Sequence, residues 1–306
     1  MRAGEGETDM SKSMQIIDHG TGSLQQDCVL LLGYFDGVHI GHRKLIAKAK
    51  SIAAEQGCLV GITTFYDSKN GRQIYTFAER VSLFEQLGID FVYAAAFDGR
   101  FRATEGDDFL RHVCERLSVR AFVCGADYTY GKDAAGNTGT LRAFCKDRGI
   151  PLYVEELVNF SGEKAASAQA KRYLDAGDVQ GLARLLGAPY FICGTVSTEG
   201  RQVGRKLGFP TANIHLAAEK YPLQSGVYAV HLPIEGKIYR GIANYGPRPT
   251  FGDDRVVLEI FADGYHGDLY GKKLCVYFDA RIRGVRKFGD AAQLQRQLEK
   301  DLESIR

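Results

Sequence analysis

Gly33-Tyr34-Phe35-Asp36-Gly37-Val38-His39-Ile40-Gly41-His42 is the stretch on which the reading of the fold turns. It follows the apolar run Cys28–Leu32, which reads as a buried strand, and precedes Arg43–Gln56, which reads as a helix. Strand, glycine-rich turn and helix in that order make a phosphate site in α/β proteins. Glycines let the backbone come close to an anion, and the helix N-terminus points N–H groups at it. Two histidines three apart add donors to the same anion. On its own that spacing is more often structural than functional. Its place at a strand-to-helix turn with Gly33, Gly37 and Gly41 gives it weight.

Outward from this loop, strand and helix patterns alternate to about Val154. Leu59–Phe65 and Phe91–Phe97 read as strands, Arg120–Cys124 as a short strand ending at Gly125, and Pro151–Val154 as another. Phe77–Leu87, Phe109–Leu117 and Leu141–Arg148 carry helical spacing, the last closed by Gly149. This order predicts a mainly parallel sheet whose ligands bind beyond the carboxyl ends of its strands, where Gly33–His42 and Gly125–Gly131 would both emerge. Ala165–Leu186 is helical with a break at Gly177-Asp178. After Gly187-Ala188-Pro189 the texture changes to short strands with glycine-containing turns: Tyr190–Val196, Val227–Leu232, Lys237–Ala243, Val256–Phe261 and Leu274–Phe278. That pattern predicts an antiparallel sheet or small barrel. A final helix starts from Asp290 as N-cap, with Gln293 three residues on. The expected division is a flexible tail at 1–14, an α/β domain at 15–186 and a β domain at 187–306.

The 306 residues carry a formal charge of only +2, which gives no broad pull toward nucleic acid or membrane. No apolar run approaches the roughly 20 residues of a membrane span, and Met1–Met14 lacks the apolar core of a signal peptide. The seven cysteines (28, 58, 114, 124, 145, 193 and 275) are odd in number and include no CxxC. That favours buried reduced thiols in a cytoplasmic protein over a disulfide framework or zinc site. Whether copies of the chain assemble is open at this point.

A second loop, Gly200-Arg201-Gln202-Val203-Gly204-Arg205-Lys206-Leu207-Gly208-Phe209-Pro210-Thr211-Ala212-Asn213, places cations beside permissive glycines and then two oxygen donors. A basic surface turn is the plain reading. A nucleotide phosphate with Mg²⁺, held by hard oxygens from Thr211 and Asn213, is the functional one.

Taken together these motifs resemble the bifunctional riboflavin kinase/FAD synthetase (FMN adenylyltransferase) family of prokaryotes. Gly33–His42 is similar to the HxGH loop of nucleotidyltransferases. Gly204–Asn213 resembles the phosphate and magnesium loop of riboflavin kinases. Gly241–Phe251 resembles the family's G-x-A-N-x-G-x-R-P-T-F segment, and Asp268–Lys272 its D-L-Y-G-K turn. Gly125–Gly131 looks like its G-x-D-F-x-F-G. The resemblance covers about residues 26 to 306. It implies a Rossmann-like α/β nucleotidyltransferase domain followed by an all-β riboflavin kinase barrel with a C-terminal helix. The implied activities are ATP-dependent phosphorylation of riboflavin to FMN and adenylylation of FMN to FAD.

By the same resemblance, His39 and His42 stabilise charge on ATP phosphates, and Glu259 is the base that takes the riboflavin 5′-hydroxyl proton. Thr211 and Asn213 hold Mg²⁺. Gly33, Phe35, Asp36, Gly41, Asp127, Ser167 and Lys171 belong to the adenylyltransferase site. Gly204, Arg205, Gly208, Pro210, Asn244 and Arg283 belong to the kinase site, with Arg281, Ile282 and Phe288 near the flavin-covering region.

The adenylyltransferase half departs from the family pattern. Tyr34 stands where asparagine is usual. Thr64-Phe65 leads into Tyr66-Asp67-Ser68-Lys69 rather than T-F-x-P-H-P. Ala166–Lys171 keeps one hydroxyl of the family's S-S-T-x-I-R and replaces its arginine by lysine, which loses the bidentate fork. Each lost charge-assisted hydrogen bond costs about 1.5–3 kcal/mol. A second reading therefore stands beside the bifunctional one: a riboflavin kinase whose first domain is a scaffold without turnover. A third is a flavin-responsive regulator, which tight FMN binding without kinase turnover would mark.

Overall fold

The computed structural model describes residues 14–67, 71–197, 211–248 and 253–305. Two compact units interleave in sequence. The first draws on Met1–Phe35, Lys44–Lys69 and Arg80–Leu157, and the second on Asp36–Arg43, Asn70–Glu79 and Val158–Arg306.

The strands of the first unit are β1 (Gln15–Asp18), β2 (Leu24–Leu31), β3 (Leu59–Phe65), β4 (Phe91–Ala95), β5 (Leu117–Gly125) and β6 (Leu152–Glu155). They form one parallel sheet in the order β1-β4-β3-β2-β5-β6. Its helices are α1 (Ile40–Gln56), α2 (Phe77–Gln86), α3 (Gly99–Arg102), α4 (Gly106–Arg116) and α5 (Thr138–Asp147), with α1 and α2 each having their first residues in the second unit. Central parallel strands are covered on both faces, so they read as unbroken apolar runs; Cys28–Leu31 and Ala121–Cys124 have no exposed surface. β1 departs from the expectation of a tail followed directly by the loop strand. It sits at the sheet edge and buries Ile17 alone, too little to show as a pattern. α4 starts at Gly106 rather than Phe109, and Leu117 turns straight into β5.

After β1, His19 packs against the rings of Tyr93, Phe101, Phe109 and His112. Burial, then the neighbouring His112, pushes the His19 imidazole down to about 4.

The second unit opens with a hairpin, β7 (Asn159–Phe160) and β8 (Glu163–Lys164), then α6 (Ser167–Ala176) and α7 (Val179–Leu186). The helical break falls where the sequence puts it. Gly177 caps α6 with φ 69°, and the Asp178 carboxylate accepts the Gly181 N–H at 2.7 Å. Six antiparallel strands follow: β9 (Tyr190–Thr195), β10 (Ala212–Ile214), β11 (Gly226–Ile234), β12 (Lys237–Arg248), β13 (Asp253–Ala262) and β14 (Lys273–Arg283). Their order is β10-β13-β12-β11-β14-β9. The sheet curls until its edge strands meet at the Val196–Ile214 bridge. Gly194 is required there, because a Cβ would stand 2.4 Å from Ile214 Cγ2. α8 (Ala291–Glu303) is capped by Asp290 as the sequence predicts, and its Leu302 packs on Val227 and Ile242 of the sheet.

A buried ion pair ties distant segments of this unit. Lys220 Nζ donates to Glu79 Oε2 at 2.6 Å and to Ile74 O at 3.0 Å, with side-chain exposures of 4% and 2% for Lys220 and Glu79. Glu79 also accepts the Cys193 N–H at 2.8 Å and the Thr76 N–H at 2.8 Å. Burial lowers the Lys220 ammonium from its ordinary value, and the Glu79 charge opposes that shift.

Cys193 and Cys275 correct the expectation of reduced thiols throughout. They lie opposite each other across β9 and β14, with Cα atoms 4.1 Å apart, and form a disulfide. Only the register of two strands 82 residues apart brings them together. Cys28, Cys58, Cys114, Cys124 and Cys145 are free, and burial raises the Cys28 thiol to about 12. Among the described residues no helix is long and apolar enough to cross a membrane.

Two outcomes follow from these contacts. The folded His19 value lies below its unfolded 6.5, so the folded state binds fewer protons, and stability present above pH 6.5 is lost as pH falls toward 4. His42, also held low by burial, acts in the same direction. Urea midpoints measured across this range should fall less steeply in His19→Gln than in the unaltered chain. Second, Lys220→Met should destabilise by about 3–5 kcal/mol by leaving a buried carboxylate unpaired, and Lys220→Met with Glu79→Gln should recover part of the loss. A double variant no more stable than Lys220→Met would show that the charge is not the cause.

Candidate active sites

The strand order reverses between β2 and β5, and the turns after both leave the carboxyl edge of the sheet. In the first unit the start of the loop is fixed to β3. Gly33 N–H donates to Thr63 Oγ1 at 3.0 Å, and that hydroxyl donates to Gly33 O at 3.1 Å. Thr64 Oγ1 donates to Tyr34 O at 2.7 Å. Phe35 is 1% exposed with φ 57°, a left-handed backbone unusual for a side chain of that size. After β5, Tyr128 and Tyr130 stack at 5.6 Å, and Asp127 stands exposed beside them at the turn.

The rest of the loop belongs to the second unit. Asp36 is 4% exposed, and its Oδ1 accepts the N–H groups of Ile74 and Tyr75 at 2.9 and 3.4 Å. Its carboxylate thus holds backbone, where the sequence suggests a place at the nucleotide. Val38 also has a positive φ, 45°. His39 precedes α1 and His42 lies in its first turn, an i,i+3 pair whose rings stack at 3.7 Å. Gly41 makes room for this, since a Cβ there would stand 3.2 Å from the His39 ring. Burial, then the charge of His39, then Lys164, lowers His42 well below its usual value, so at neutral pH it is a neutral donor. Ser167, first residue of α6, lies beside the loop, its Oγ 3.9 Å from where a Gly37 Cβ would be. Lys171, one turn on, lies with its ammonium 4.9 Å from the centre of the Tyr221 ring. Lys164 is a cation the sequence reading missed. It sits on β8 in a hairpin whose two strands offer only two residues each.

The residues that the resemblance assigns to a kinase site come together by strand register. Asn213 pairs with Glu259 across β10 and β13, and Asn244 pairs with the same Glu259 across β12 and β13. Directly paired residues share a face, so the three side chains stand in one row. Thr211 Oγ1 donates to Glu259 Oε1 at 2.8 Å. Donating its hydrogen there leaves the hydroxyl lone pairs to point elsewhere. Two hydroxyl or amide oxygens and a carboxylate form a hard-oxygen donor set of the kind Mg²⁺ prefers. Arg283 is held by Asp301 of α8, with Nε 3.1 and 3.0 Å from the two carboxylate oxygens and Nη2 2.7 Å from Oδ2. Its contact is with the helix that covers the sheet. Gly204, Arg205, Gly208 and Pro210 lie outside the described residues, as do Pro249–Phe251.

The family model for FAD synthetase matches residues 22–169 and that for riboflavin kinase matches 186–306. The bifunctional riboflavin kinase/FMN adenylyltransferase of Bacillus subtilis is 35% identical over 289 residues, covering 90% of this chain and 91% of the relative. Those of Pseudomonas fluorescens and Listeria monocytogenes are 32% and 30% identical, each covering 91% of this chain, with 92% and 91% of the relatives covered. A crystal structure from Streptococcus pneumoniae, titled as a macrolide-efflux protein, matches with a TM-score of 0.84 at 28% identity, covering 95% of this chain and 99% of that one. The chain therefore belongs to the bifunctional riboflavin kinase/FMN adenylyltransferase family.

Proposed function

We propose that Glu259 with Thr211, Asn213 and Asn244 phosphorylates riboflavin to FMN, and that the loop bearing His39 and His42 adenylylates FMN to FAD. The observation that carries the first half is the Thr211–Glu259 hydrogen bond within a row set by strand register. Glu259 accepts the proton of the riboflavin 5′-hydroxyl as that oxygen bonds to the γ-phosphorus of ATP and ADP leaves. Thr211 and Asn213 would hold Mg²⁺, which when bound neutralises charge on the phosphates. Gly204, Arg205, Gly208 and Pro210 complete this site in the same proposal.

In the second reaction a phosphate oxygen of FMN attacks the α-phosphorus of ATP, the bond to the β-phosphate oxygen breaks and pyrophosphate leaves. Little covalent chemistry is asked of the protein, which positions the groups and stabilises charge. The first N–H groups of α1, the His39 ring and the neutral imidazole of His42 supply donors. Gly33, Phe35, Gly41, Asp127, Ser167 and Lys171 belong to this site in the proposal, with Asp36 shaping the loop. The scaffold reading of the first domain is disfavoured, because residues 22–169 match FAD synthetase and the relatives are bifunctional along almost their whole length. A domain boundary near Gly187, residence in the cytoplasm, and action without nucleic acid or membrane are part of the same proposal. Self-assembly is left to a solution-size measurement.

A chromatographic time course of riboflavin with MgATP, scoring FMN and FAD separately, tests both halves. FMN should accumulate first and FAD follow. Glu259→Gln should cut FMN formation by about 10²–10⁴-fold, the usual worth of a general base, while FAD is still made from supplied FMN. His42→Ala should do the reverse, leaving FMN formation intact and lowering FAD formation by about 10²-fold or more. Full kinase activity in Glu259→Gln, or no FAD from the unaltered chain, would overturn the corresponding half.

A further inference from the structure

Arg80 is wholly buried, and its guanidinium makes a set of contacts that the two reactions as described do not use. Nη1 donates to Thr64 Oγ1 at 2.5 Å and to Tyr34 O at 3.3 Å, and Nη2 donates to Phe65 O at 2.7 Å. The guanidinium carbon stands 5.0 Å from the centre of the Tyr34 ring. Thr64 Oγ1 in turn donates to Tyr34 O. One cation thus holds the end of β3 and the first turn of the phosphate loop that follows β2. The geometry points to Arg80 as a positioning residue for adenylyl transfer, acting by fixing the direction of the Phe35 N–H in the phosphate loop.

The peptide unit gives the reason. It is planar and trans, so its carbonyl and the next N–H point in opposite directions. Holding Tyr34 O toward Arg80 and Thr64 therefore sends the Phe35 N–H the other way. Gly33 is fixed at both its polar atoms by Thr63, so the orientation is set on two successive residues. The same arrangement explains how the chain accommodates Tyr34 in place of asparagine and the altered segment after Phe65. The Tyr34 ring lies against Arg80 and its hydroxyl reaches Asp67 O at 3.4 Å, while Tyr66 N–H is taken by Ala95 O and its hydroxyl by Asp18. A planar fork is needed to serve two strand ends at once, which a lysine ammonium on a single stem does poorly.

This inference rests on the adenylyltransferase reading above, and the full chain supplies its own control. FAD formation from FMN and FMN formation from riboflavin are measured on the same preparations, with kcat and KM for ATP resolved and the thermal midpoint recorded. In Arg80→Met, kcat for FAD formation should fall roughly 10- to 100-fold, the scale of a small misplacement at a reacting centre. Riboflavin phosphorylation should be unchanged. Arg80→Lys should recover only part of the loss, and Thr64→Val should lower FAD formation in the same direction. An Arg80→Met chain that keeps kinase activity and FAD formation alike overturns the inference. If Arg80→Met does not fold, Arg80→Lys and Thr64→Val decide, and unaltered FAD kinetics in both overturn it. Absence of FAD formation by the unaltered chain is a separate result, which strikes the adenylyltransferase reading itself.

Discussion

The buried pairing of Lys220 with Glu79 is the constraint around which the second unit is built. Taking either ion out of water costs several kcal/mol, so at this depth each must find a full set of partners. The segments supplying them are far apart in the chain. Ile74 gives a carbonyl, Thr76 and Cys193 give N–H groups, and Tyr75 and Tyr190 set their rings about 5 Å from the ammonium. Short backbone pairing of Gln73 with Glu219 and Tyr221 reinforces the meeting point. β9 benefits directly. Among the described residues it pairs along its length with β14 alone, and an edge strand leaves N–H groups seeking acceptors. Glu79 answers one of them, and the disulfide to β14 and the bridge to β10 secure the rest of the strand.

The two sites are supported in different ways. In the barrel, Asn213, Glu259 and Asn244 stand together because antiparallel strands put opposite residues on one face. A slip of one residue would turn all of them to the other side. In the α/β unit the first residues of the phosphate loop, Gly33 and Tyr34, hang from strand ends, held by polar contacts with Thr63, Thr64 and Arg80. Both reactions move phosphorus between oxygens, and both need positioning more than covalent chemistry. One chain meets that need once with a pleated surface and once with a clamped turn.

The legible parts of the sequence are those whose burial is uniform. Cys28–Leu32 shows itself as a strand because every position is covered, and Asp290 shows itself as a cap because its carboxylate and the N–H three residues on are local. β1 escapes notice with its single buried Ile17. Glu259 is visible through family resemblance, but its alignment with Asn213 and Asn244 is a property of register. The Cys193–Cys275 bond hides for the same reason. Arg80 looks like a polar position on an amphipathic helix, because its partners include the carbonyls of Tyr34 and Phe65 and the Thr64 hydroxyl, which no side-chain pattern announces. Asp36 is the converse: a conspicuous loop acid whose oxygen is occupied in holding Ile74 and Tyr75.

Phe35 and Val38 set two energetic demands against each other. Both keep a left-handed backbone that costs roughly 1–2 kcal/mol for a residue with a Cβ, and both bury their side chains to 1% exposure. Glycine would relieve the backbone at either position and leave a hole in the interior, at about 3–5 kcal/mol for a lost phenylalanine. An exchange to glycine therefore trades one term against the other, and at Phe35 the filled interior outweighs the strained backbone.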